Sequence, residues 1–272
     1  LFKINTQLRE EAFSNWFVHQ KDMVFEYEFS KQKFSLDENK MRCVIAYEMI
    51  FDEKNNLIHM SIYPTTISIT KNYTYDSMKE KMRRKKNKGL DEKVRLLEIA
   101  KKLHESNYSK KRYHKVKELQ YYLEYNKRYK PETKYMVVSE FKVLLGTILA
   151  KVFLEKNMPL IYRNNESQVT KSDIEQIEQT CNEEDGEVSI RHKITSLNLH
   201  SYYSYENVGH NGLGVKQYTH ITTPLRNYFA LINMLLLKEL FIFEKKENIE
   251  KYMKLVKQLT EIQYENSGIK KK

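Results

Sequence analysis

Apolar and polar residues alternate along two early stretches, "MRCVIAYEMIF" (41–51) and "LIHMSIYPTTISIT" (57–70), separated by the polar run "DEKNN". A period of two predicts half-buried strands, and the short polar spacer joins them as a hairpin. An amphipathic segment around "QLREEAFSNWF" precedes them. From Tyr75 to Tyr135 the composition shifts to Lys, Glu and Tyr, with Val94, Leu97, Ile99, Ala100 and Leu103 spaced for one face of a helix. "SEFKVLLGTILAKVFLEKN" (139–157) predicts a buried helix, with Ser139 near its start and Asn157 and Pro159 ending it, and "PLIYR" predicts a following strand. Residues 164–195 are polar and locally acidic, a pattern for a surface excursion holding one short helix. "TPLRNYFALINMLLLKEL" (223–240) is apolar nearly all round and predicts a second buried helix. Residues 248–272 close the chain as an amphipathic helix with a lysine tail, distinct from the unit spanning 1–247. These elements predict an α+β fold in which a hairpin or small antiparallel sheet packs on two buried helices, with a basic helical region (80–135) outside.

Composition adds a partner. The 272 residues include 40% hydrophobic positions, enough for a substantial core. Lys and Arg outnumber Asp and Glu by 47 to 36, a net charge of +11 that favours a polyanion such as RNA, DNA or an acidic membrane surface. Two cysteines outside any CxxC pair support neither a disulfide framework nor a zinc site, and a reducing compartment fits. The longest uncharged apolar run, Asn227 to Leu237, is far shorter than the roughly 20 residues that cross a bilayer. The chain opens at Leu1 without an apolar signal core, as a processed, truncated or internal start would. The Lys, Asn, Tyr and Ile bias with few glycines suits an AT-rich genome and an organellar, protist or viral setting, the mitochondrion before the cytoplasm.

Three of the seven glycines and two of the eight histidines fall in "GHNGLGVKQYTH", just before the second buried helix. The glycines suit a turn that lets backbone approach something closely. For that helix, Thr223 is the expected N-cap and Pro224 the first helical residue. Arg226 then lies in the first turn, where the helix dipole is already positive and a cation calls for an anion. A plain ion pair would satisfy it equally. His210 and His220 have no carboxylate at ligand spacing, so structural roles suit them better than metal ligation.

The run "YSYENVGHNGLGVKQYTHITTPLRNY" resembles the signature of the ribonuclease II / ribonuclease R (RNB) exoribonuclease family, Y-S-x-x-N-x-G-H-F-G-L…Y-x-H-F-T-S-P-I-R-R-Y. Upstream, "FSKQKFSLDENKMRCVIAYEMIFDEKNNLI", "NYTYD" and "VSEFKVLLGTILAKVFLEKNMPLIYR" are similar to further family segments in family order, together covering most of residues 25–241. The resemblance implies part of an RNB-like domain, its C-terminal portion, from a family that draws single-stranded RNA into a channel and hydrolyses it 3′→5′ with Mg²⁺ held by aspartates. It implies that Arg226 is the active-site arginine and catalytic candidate. Tyr218, His220 and Thr222 would shape its pocket with His210, Tyr75 would stand near the RNA path and Glu140 in the channel. Arg42 and Arg163 match recurring arginines.

The departures matter as much. The family's clustered aspartates have no counterpart, since the Asp residues here are scattered singly without a DxD or DD pair. The second arginine of R-R-Y is Asn227, the aspartate after the tyrosine is Ala230, the later His-Arg pair is Met234 and Leu235, the Phe of G-H-F-G-L is Asn211, and the Asn that closes the family's E-F-M segment is Gly146. No metal site is expected in this chain, and Mg²⁺ only with a complementary aspartate-bearing part. The implied function is a non-catalytic RNA-binding pseudoenzyme, a component of a ribonucleoprotein complex. Its alternative is the C-terminal half of an active exoribonuclease, completed by an upstream region or a separate chain. A protein-interaction scaffold without RNA is the third class, which salt-sensitive RNA binding would exclude.

Overall fold

The computed structural model describes residues 27–74, 77, 92–108, 133–166, 172 and 201–267. The opening amphipathic segment, Tyr75, most of the basic and Tyr-rich region, nearly all of the acidic excursion and the lysine tail lie outside the described residues.

A short helix, α1 (Tyr27–Lys33), leads into the hairpin β1 (Met41–Phe51) and β2 (Leu57–Ser68). The strands pair antiparallel from Met41↔Ser68 to Phe51↔Leu57, with one irregularity at Ile50/Phe51. This is the hairpin that alternation predicts. Arg42 ties it to α1: its guanidinium donates to the carbonyls of Ser35, Met41 and Gln32, each at 3.0 Å. Two long helices follow, α2 (Glu92–Tyr108) and α3 (Thr133–Glu155), packed together, with Ile99 and Ala100 buried on α2.

Helix α3 starts six residues earlier than its sequence suggests. Ser139, expected near its start, is an interior residue whose hydroxyl donates to the Met136 carbonyl at 3.1 Å. Its end is where the sequence puts it: Asn157 adopts φ 50°, and the Met158 N–H closes back on the Phe153 carbonyl at 2.9 Å.

The predicted strand at "PLIYR" is shifted. β3 (Tyr162–Asn164) pairs antiparallel with β4 (Tyr202–Ser204), and residues 158–161 before it are buried without belonging to a strand. Asn164 and Asn165, the expected start of the surface excursion, are buried instead. Asn164 donates to the Glu206 carbonyl and accepts from the Val208 N–H, so its amide replaces the backbone partners a loop would take from water.

Helix α4 (Tyr228–Leu236) is mostly buried, with Leu231, Met234 and Leu235 partly so, and continues as a wider π-turn over Leu237–Ile242. Helix α5 (Ile249–Ser267) adds Tyr252, Val256 and Leu259 to the buried cluster that holds Leu149 and Phe153 of α3, Ile161, Tyr203 of β4, and Ile232 and Leu236 of α4. The inner face of the hairpin, including Ile45, Tyr47 and Met60, packs against the same cluster. Among the described residues the fold is thus α+β, two small antiparallel sheets on buried helices. Among the described residues no helix is long and apolar enough to cross a membrane.

Candidate functional site

Residues 209–227 are shaped by glycine, by a strained threonine and by an asparagine cap. Gly209 and Gly214 adopt φ 90° and 67°. Between them His210 caps a single 3-10 turn, its Nδ1 accepting from the Leu213 N–H at 3.2 Å while its Nε2 meets Ser201 Oγ at 3.1 Å. Both ring nitrogens are therefore engaged inside the loop, and burial lowers the His210 pKa to about 4. Tyr218 packs edge-on against that ring, with its own pKa raised to about 12 by burial.

The predicted start of α4 is corrected here. Thr223 is not its N-cap and Pro224 not its first residue: 223–226 form a separate turn, the Arg226 N–H bonding the Thr223 carbonyl at 3.0 Å. Thr223 carries φ 64°, an outlier for a β-branched residue. The cap is Asn227, whose Oδ1 accepts from the Ala230 N–H at 2.9 Å. Arg226 accordingly sits outside the helix, just before its cap, and is exposed.

Arg226, Thr222 and Thr223 line one wall of a cleft of about 1150 Å³. Its other walls are Tyr47 to Phe51 of β1, Arg95, Leu96 and Ile99 of α2, and Val137, Val138, Phe141, Lys142 and Leu145 of α3. The interior is apolar, with Phe51 and Phe141 edge to face at 5.9 Å. Two buried hydroxyls on its walls, Tyr47 OH and Thr222 Oγ1, have no hydrogen-bond partner among the described residues. The charged wall residues are three cations, Arg95, Lys142 and Arg226, against one carboxylate, Glu48. Burial, and then the charges of Arg163 and Arg226, hold the Lys142 pKa below its ordinary value.

Lys142 joins the cleft to a second group of residues. Arg163 lies over the Tyr203 ring at 5.5 Å and donates to Tyr203 OH at 3.3 Å. Next to it, His220 Nδ1 is 2.9 Å from Tyr203 OH and 3.2 Å from Asn227 Nδ2. Burial, with Lys142 and Arg163 adding to it, lowers the His220 pKa to about 3, so the ring is neutral near pH 7. Among the described residues none of Lys142, Arg163 and Arg226 has a carboxylate partner. Three cations from α3, β3 and the 223–226 turn converge without internal neutralisation, an arrangement that attracts an anion from outside.

Of the residues singled out in the sequence, Arg226 and Thr222 thus share the cleft, while His220, Tyr218 and His210 stand in the layer behind. Glu140 is elsewhere: it is buried between α2 and α3, 2.8 Å from His104 Nδ1, and is not among the cleft-lining residues. Tyr75 is outside the described residues. Lys142, Tyr47 and Asn233 were not legible as site residues. Asn233, fully buried in α4, accepts from the Ile161 N–H and donates to the carbonyls of Ile161 and His220, which fixes the 219–222 segment against β3. A lone amide in "FALINMLLL" was its available signal.

Metal-assisted hydrolysis needs carboxylates converging on a hard cation. Among the described residues no group of three or more His, Cys, Asp or Glu side chains could hold a metal ion, and the apolar cleft carries three cations against a single carboxylate, so these residues do not fit Mg²⁺.

Comparison with known proteins gives a consistent picture. The RNB domain family model matches residues 3–242. Ribonuclease R of Ureaplasma parvum serovar 3 is 27% identical over 301 aligned residues, covering 91% of this chain and 41% of that protein. Among solved structures, Mycoplasma genitalium RNase R in complex with ribose methylated single-stranded RNA superposes with a TM-score of 0.67 at 14% identity, covering 95% of this chain and 47% of that one. Yeast Ssd1, described as a pseudonuclease, superposes at 0.65 with 13% identity, covering 96% and 36%. At these identities the structural likeness speaks to fold, and the chain spans less than half the length of each of these relatives.

Proposed function

Because this chain belongs to the RNB domain family, we propose that it binds single-stranded RNA, holding the phosphate backbone at Lys142, Arg163 and Arg226, and that these residues alone do not hydrolyse it. The observation that carries the reading is that Lys142 and Arg226, which line an apolar cleft, and Arg163, which acts on Lys142 from beside it, have no carboxylate partner among the described residues. The guanidiniums suit bidentate contact with phosphate. The unpartnered hydroxyls of Tyr47 and Thr222 offer polar contacts within a cavity roomy enough for a nucleotide. Arginine and lysine can position a phosphodiester but cannot generate the nucleophile, so rate enhancement of the metal-dependent kind is not supplied here. In this role the protein serves as an RNA-holding component of a ribonucleoprotein complex.

One observation favours a second reading, in which the chain is one part of an active 3′→5′ exoribonuclease. Its coverage of 41% of the Ureaplasma ribonuclease R leaves room for an aspartate-bearing part elsewhere. Both readings share the RNA contact. Titration of labelled single-stranded RNA at several salt concentrations tests it: affinity falls steeply with salt, and Arg226→Ala and Arg163→Ala each weaken binding and flatten that dependence. Affinity indifferent to salt and to both substitutions overturns the reading and leaves the scaffold role.

A further inference from the structure

The cap of α4 fixes more than the helix. Asn227 Oδ1 accepts from the Ala230 N–H, and a backbone N–H can only donate, so the orientation of the amide is set by the helix itself. Its Nδ2 is thereby aimed at Tyr203 OH at 2.9 Å and at His220 Nδ1 at 3.2 Å. Arg163 approaches the same Nδ1 at 3.5 Å. Neither an amide NH₂ nor a guanidinium can accept, and Tyr203 OH, which receives N–H bonds from both, has its own hydrogen left for His220. Nδ1 is therefore ringed by donors and must be an acceptor, which puts the ring proton on Nε2. That Nε2 is buried and has no partner among the described residues.

We propose that Asn227 is a positioning residue that locks His220 as its Nε2–H tautomer, giving the RNA site a neutral, buried hydrogen-bond donor beside Lys142 and Arg163. A neutral donor adds affinity for a phosphate oxygen without a third buried charge next to two cations. The charged groups acting on His220 are Lys142 from α3 and Arg163 from β3, and the titratable hydroxyl facing it is Tyr203 from β4. The function of this donor rests on the RNA-binding reading, whereas the tautomer stands on the protein alone.

The test uses the full chain with ¹⁵N-labelled histidine. In the unliganded protein His220 should give the signature of a protonated Nε2 and a bare, hydrogen-bonded Nδ1 at every pH from roughly 5 to 7.5, and oligo(U) should shift the Nε2–H signal. Asn227→Asp keeps an equally good N-cap but replaces the donor with a carboxylate, which raises the histidine pKa toward the ordinary value of about 6.5. RNA binding by N227D should then weaken several-fold as pH rises across that window, relative to wild type. A protonated Nδ1 in the wild type, or an N227D pH profile matching wild type, overturns the proposal. Absence of RNA binding by wild type with the tautomer intact would sink the functional reading and this donor's role in it, while the lock itself would stand.

Discussion

Asn233 closes a two-way amide pair with the backbone of Ile161, its Oδ1 accepting from the N–H at 2.9 Å and its Nδ2 donating to the carbonyl at 2.9 Å. The residues are 72 positions apart in sequence, and the pair pins α4 to the residue just before the strand that carries Arg163. Asn233→Ala leaves the Ile161 N–H buried and unsatisfied, while the Ile161 carbonyl keeps the Thr219 hydroxyl at 2.8 Å, a cost of roughly 1–3 kcal/mol. Urea unfolding of the variant should show that loss, with RNA binding weakened only in proportion to the unfolded fraction.

Gly146 marks a close approach. A Cβ there would collide with the Thr219 carbonyl and the Tyr218 ring, and the Gly146 carbonyl accepts from the Thr219 N–H at 3.3 Å. Gly146→Ala must push the 218–222 segment away from α3, costing about 1–3 kcal/mol. A melting temperature equal to wild type would show that the packing is looser than the geometry says.

The hairpin and the end of α3 were legible because alternation, a polar spacer and the Asn157–Pro159 stop are local signals. The start of α4 was not. "TPLRN" points to Thr223 and Pro224 as the helix start, whereas the cap, Asn227, is held by bonds to Tyr203 and His220, which lie 24 and 7 residues away. Asn164 and Asn165 looked like loop residues because polarity alone cannot show that a side-chain amide will satisfy buried backbone. Arg226 was legible through its motif, but Lys142 became part of the site only when α3 was placed beside the 223–226 turn.

His210 and His220 set a pH dependence of stability. Their folded pKa values, about 4 and about 3, lie below the ordinary value of 6.5. Below about pH 6.5 the unfolded chain takes up protons that the native state refuses. Stability is therefore complete above pH 6.5 and falls as pH drops toward the folded values, by at most about 1.4 kcal/mol per pH unit for each histidine. Unfolding curves at pH 7 and pH 5 should differ in this direction, and His220→Gln should flatten the slope.

Arg42 and Arg226 separate structure from binding. Arg42 spends its guanidinium on two carbonyls around the end of α1 and that of Met41 at the start of β1, so Arg42→Ala should cost about 1–2 kcal/mol of stability and leave RNA affinity unchanged. Arg226 is exposed and has no carboxylate partner among the described residues. Arg226→Ala should leave the melting temperature within a degree or so of wild type and lower RNA affinity, read by thermal melts and filter binding in parallel.

The most direct measurement follows single-stranded RNA labelled at its 5′ end and incubated with the purified chain and Mg²⁺, scoring bound and shortened RNA in the same sample. Bound RNA of full length, with binding lost in the Arg163→Ala/Arg226→Ala double variant, is the predicted result. Stepwise shortening from the 3′ end by this chain alone would contradict the account, because it would require metal-holding carboxylates within these 272 residues.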